Sequence, residues 1–143
     1  MKSRPSIVSM LFVACFAAGC GTSPTPLHEA REVPPARVFE RPVVKSTNPA
    51  KVTIVRDQGL HGAEHVFTIL VNGRQVAELR QGEKVIVSAD PGTVFIEARM
   101  FNITGRVPPV QVETNVQEGK TYTYRVGLDE LTLRLLRDLS ASN

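Results

Sequence analysis

His61 and His65 lie four residues apart, with Asp57 and Glu64 close by, and these are side chains that can ligate a divalent metal. Four-residue spacing sets two imidazoles on one face of a helix, the geometry a zinc site uses. Gly59 and Gly62 interrupt this stretch and point to a loop, which removes the helix the spacing needs. His61, His65 and Asp57 therefore stand as candidate ligands beside the plainer reading of a solvent-facing loop at a strand entry. Nucleophilic chemistry has less to build on. No serine sits in a Gly-x-Ser-x-Gly turn, glycines occur singly, and Asp and Glu are scattered over turns and strand faces. No catalytic residue is identified, and the chain is expected not to be an enzyme.

The chemistry that can be read directly is at the amino terminus. Lys2 and Arg4 precede a mostly apolar stretch over residues 7–18, which ends in Ala17-Ala18-Gly19-Cys20. The stretch has signal-peptide length and is short for a membrane span. Its end resembles the bacterial lipobox, with Ala17 in place of the commoner leucine. That resemblance implies a diacylglycerol on the Cys20 thiol, cleavage before Cys20, and an acyl chain such as palmitate on the new amino group. One acyl chain binds a bilayer marginally, whereas each further buried methylene adds about 0.8 kcal/mol, so three chains anchor firmly. An ordinary secretory signal cleaved near Ala18 is the alternative. Cys15 would leave the apolar core too short. Gly21, where an aspartate resembles an inner-membrane retention signal, points to the outer membrane facing the periplasm. The covalent lipid is the only attached group expected, with no cofactor.

The chain has 143 residues, room for one domain once targeting and linker segments are removed. Its formal charge of +3 includes Lys2 and Arg4; without them 15 basic residues face 14 acidic ones. So small an excess gives little pull on nucleic acid, and no nucleic-acid partner is expected. Cys15 and Cys20 are the only cysteines, so the folded part has neither a disulfide nor a cysteine metal site. The seven arginines at 74, 80, 99, 106, 125, 134 and 137 could form a stripe, but interleaved Glu78, Glu83, Glu97 and Glu113 read more simply as solvated faces.

Residues 1–19 read as the signal peptide, and residues 20–48 as the lipidated cysteine and a Pro-rich tether. Prolines at 24, 26, 34, 35 and 42 favour extended, solvated chain there. Val38, Phe39, Val43 and Val44 are apolar enough to dock as an edge strand, and Pro42 suits an edge. Residues 49–138 read as the domain and 139–143 as a tail. Strands are expected over 51–56, 65–71, 74–79, 84–88, 93–100, 110–116 and 121–126. Asn72-Gly73 signals a type I′ hairpin turn. Tyr122 and Tyr124 share one strand face and read as packing. Residues 129–137 fit a helix stripe and a strand alternation equally; an antiparallel partner just upstream favours the strand. Short strands at this spacing argue for a sandwich or small barrel.

Residues 66–79, with Asn72-Gly73-Arg74 at their turn, resemble the hairpin of small bacterial envelope domains. Gly82-Glu83-Lys84, Asp90-Pro91-Gly92 and Glu118-Gly119-Lys120-Thr121-Tyr122 follow in the order expected there, and Val55-Arg56-Asp57 with Gly59 looks like the entry strand. The pattern is similar to lipoproteins of the domain of unknown function 2846 type, and more distantly to PEGA modules, over roughly residues 50–127. The resemblance implies an immunoglobulin-like or transthyretin-like antiparallel β-sandwich at the envelope and brings no catalytic residues. Together these readings suggest a membrane-anchored, non-enzymatic binding or scaffolding module with an envelope protein partner. A passive accessory subunit of a larger complex, or a metal- or small-ligand-binding protein using the His61/His65 loop, are the rivals.

Overall fold

A computed structural model describes residues 22–59, 62–100 and 107–141. The domain is an all-β sandwich, and the described residues hold no α-helix. Among the described residues nine strands run in order: β1 (Arg31–Glu32), β2 (Ala50–Arg56), β3 (Phe67–Val71), β4 (Arg74–Leu79), β5 (Glu83–Ala89), β6 (Gly92–Met100), β7 (Val110–Val116), β8 (Thr121–Asp129) and β9 (Thr132–Arg137). One sheet has the order β1-β5-β2-β8-β9 and the other β4-β3-β6-β7. Most pairings are antiparallel, as expected. Two are parallel, β1 with β5 and β2 with β8, because the chain crosses between sheets before returning beside an earlier strand.

Alternation places one face of each sheet inward. Val52 and Ile54 of β2, Val85 and Val87 of β5, Val94 and Ile96 of β6, and Tyr122, Tyr124 and Val126 of β8 meet in one core. The Tyr122 hydroxyl also accepts the Gln117 N–H at 2.9 Å. At the β3–β4 turn Asn72 and Gly73 hold φ of 50° and 76°, the left-handed pair that a type I′ turn requires. Residues 132–137 form a strand, paired with β8 through a turn in which Glu130 has φ of 52°. Arg137 stacks on the Tyr122 ring at 4.8 Å, and residues 139–141 close the chain as a short 3-10 turn.

The segment expected as a solvated tether instead lies on the sandwich from Thr22 onward. Ser23 and Gln58 exchange backbone hydrogen bonds of 2.7 and 3.1 Å. Arg125, Val55 and Lys84 form one outward-facing row across β8, β2 and β5. Arg125 donates to Thr25 O at 2.8 Å and Lys84 to Leu27 O at 3.0 Å, so the strap passes over Val55 and leaves it fully buried. Residues 31 and 32 then pair with β5 as β1, not the anticipated Val38–Val44 stretch. Of that stretch, Val38 bridges Ala77 of β4 and Phe39 N–H reaches Val76 O at 3.0 Å. The strap thereby laces the edge of one sheet to the edge of the other. Prolines set its extended shape, and the unpaired backbone groups of β5 and β4 give it a place to bind.

Candidate functional site

The strap is held at both ends of this lacing by charged groups. Arg37, at the end of a 3-10 turn (Pro35–Arg37), makes a two-pronged contact with Glu83 at 2.7 and 2.6 Å and donates to Glu78 O at 2.9 Å. Glu83 also accepts the Arg80 N–H at 2.7 Å. Burial pushes the Glu83 carboxyl up, but the Arg37 fork and the Arg80 N–H together outweigh it and hold the group below its usual range. At the other end Asp57 accepts Thr25 N–H at 2.9 Å and Arg125 at 2.8 Å, while Arg125 also pairs with Asp138 at 2.7 Å.

Between the strap and β5 lies a cleft of about 350 Å³. Its strap side is formed by Val38, Glu40, Arg41, Pro42 and Val44 and its other side by residues 84–88 of β5. Val33 N–H donates to Lys84 O at 2.9 Å, which fixes the alternation along β5. Backbone groups of residues 84, 86 and 88 face the strap side, and those of 85, 87 and 89 face β2. Since β1 ends at Glu32, opposite Lys84, the N–H and C=O of Ile86 and Ser88 open into the cleft with no strand of the described residues beside them. Its inner wall is apolar, made by Val33, Val76, Val85 and Val87. Ile86, which lines it, is 50% exposed, and Val43, between the lining residues Pro42 and Val44, is 86% exposed.

The candidate metal ligands are not brought together. His61 lies outside the described residues. His65 Nε2 stands 3.2 Å from Glu64, and Asp57 is engaged by Arg125 and the strap. Among the described residues no three His, Cys, Asp or Glu side chains gather as a metal site. Nor do the described arginines form a stripe. Arg74 pairs with Glu40, Arg99 with Glu97, Arg125 with Asp57 and Asp138, and Arg134 with Asp129; Arg106 is outside the described residues. Cys20 and Cys15 also lie outside them.

Two buried charges escaped the sequence reading, Glu83, expected on a solvated face, and Arg56. Arg56 is 1% exposed and sits 3.8 Å over the Phe67 ring. It donates to His65 O at 2.5 Å, Leu79 O at 2.9 Å and Gly62 O at 2.7 Å, tying the β2–β3 loop to the end of β4. Desolvation pushes its pKa down to about 10 against the opposing pull of Glu83 and Glu64, so it stays protonated at neutral pH. The signal was available, since Val52, Ile54 and Arg56 share the inward face of a strand. Its three carbonyl partners mark it as a structural staple.

No protein-family model matches this chain, and no curated protein matches it by sequence.

Proposed function

We propose that this is a lipid-anchored envelope protein, held by acyl chains on Cys20, whose sandwich binds an extended segment of an envelope protein by strand addition. The observation that carries the reading is the half-covered edge of β5. A row of edge donors and acceptors is a template for another strand, and proteins that do not use such an edge usually cover or charge it. Here the strap covers the first half through β1 and stops. A partner strand entering along Ile86 and Ser88 meets backbone groups that no described strand pairs, and its inward side chains land on Val76, Val85 and Val87. Main-chain bonds then supply affinity, and the apolar wall selects residues at alternate positions. The passive-subunit and metal-binding readings have no such feature to account for.

The test places a photoreactive residue at Val43 of the full chain in cells and maps the captured peptide by mass spectrometry. Ile86→Pro removes the edge N–H while sparing the pairing with β2. The expected result is an adduct that Ile86→Pro abolishes, with the mapped segment, as a synthetic peptide, slowing amide exchange at Ile86 and Ser88. Adducts indifferent to that change would refute strand addition.

A further inference from the structure

We infer that the β8–β9 hairpin is a membrane-docking face, seated on the same phospholipid bilayer that receives the acyl chains of Cys20; this rests on the lipid-anchor reading above. The argument begins with covalent reach. One residue, Gly21, separates Cys20 from Thr22, so their Cα atoms lie at most about 7 Å apart. Thr22 is itself fixed: its hydroxyl donates to Leu128 O at 2.9 Å, and the next residue, Ser23, is bridged to Gln58. It lies directly on β8, because Gly127 has no side chain; a Cβ there would come within 2.9 Å of Thr22 Cγ2. An acylated Cys20 consequently has no free linker, and the surface around Thr22 must come to the headgroups.

That surface suits an interface. Gly127 is paired with Arg134, and Leu136 lies one outward position further along β9. Thr22, Pro24, Arg134, Leu136, Arg137 and Leu139 line a shallow depression of about 440 Å³ beside the strap. Leu136 and Leu139 are 61% and 73% exposed, and Arg134 shares the outward face of β9 with Leu136. Outward leucines beside an arginine match the interfacial pattern, in which apolar side chains enter the acyl boundary and a guanidinium group reaches phosphates. Arg134 is paired with Asp129, so apolar insertion and phosphate hydrogen bonds, more than net charge, supply the attraction. In the sheet order β5 lies three strand spacings, about 14 Å, from β9.

The sequence contains no tryptophan, so a single one reports position without background. Leu136→Trp on the hairpin and Phe95→Trp on the outer face of the other sheet are made in the full chain. Each lipidated protein is reconstituted in vesicles of phosphatidylethanolamine and phosphatidylglycerol, with or without brominated acyl chains. Intact mass first establishes acylation, with Cys20→Ser as the unshifted control. In the acylated protein, Leu136→Trp emission should shift to the blue and fall at least about twofold with brominated lipid, while Phe95→Trp is unchanged. Equal quenching of both, or of neither, in a protein of acylated mass would overturn the docking face while leaving the anchor intact. An unshifted mass would overturn the anchor reading and the docking face with it.

Discussion

The Arg37–Glu83 clamp offers the sharpest quantitative test of the strap. Both side chains are largely withdrawn from water, Arg37 at 19% and Glu83 at 7% exposure, and they share two short charge-assisted bonds. Hydrogen bonds to charged groups contribute about 1.5–3 kcal/mol each, and removing one partner of a fully buried pair costs about 3–5 kcal/mol. Arg37 keeps some contact with water, so Glu83→Gln should cost about 2–3 kcal/mol. With a urea slope of about 1.5 kcal/mol per molar, the unfolding midpoint should drop by roughly 1.5–2 M. A cycle with Arg37→Met should give a coupling of about 1–2 kcal/mol, since the pair touches directly. Acid titration provides a second readout with a fixed sign. The folded-state pKa of Glu83 is below its ordinary 4.5, so its stabilisation is complete above about that pH and is lost as pH falls through the lower folded value. Glu83→Gln should remove that part of the acid slope. Coupling within about 0.3 kcal/mol of zero, with an unchanged acid limb, would refute the view that this ion pair fastens the strap.

Two further substitutions probe the frame. Arg56→Met relieves a buried charge but strips a donor from Leu79 O and from the carbonyls of Gly62 and His65; a loss of about 2–3 kcal/mol is expected in urea melts, and a neutral or stabilising effect would contradict the staple. Gly73→Ala meets no atom within 4 Å, so its expected cost of about 1 kcal/mol comes from φ of 76° alone. A larger loss, measured the same way, would mean that the turn does more than reverse the chain.

Local chemistry determined much of this molecule. The β-branched runs, the Asn72-Gly73 turn and the alternation of residues 93–100 each encode a strand or a reversal within a few residues, so sequence alone placed β2 to β8 closely. The lipobox-like Ala17-Ala18-Gly19-Cys20 is equally local, and the acylation proposed for Cys20 is read from it without a fold. Residues 129–137 were ambiguous because leucines at 131, 133 and 135 satisfy one period while those at 128, 131, 135 and 139 satisfy another. Pairing with β8 decided for the strand.

What tertiary structure alone decided is where chain without its own periodicity goes. Prolines in residues 24–42 specify extended backbone but not solvation, since an edge strand of a finished sheet satisfies that backbone as well as water does. Thr25, Arg31 and Val38 find their partners at Asp57, Glu83 and Ala77, tens of residues away, and no local pattern announces such pairings. The cleft exists for the same reason. It is what remains of the β5 edge after β1 ends at Glu32, and an unpaired edge can be seen only once every other strand has found its neighbour.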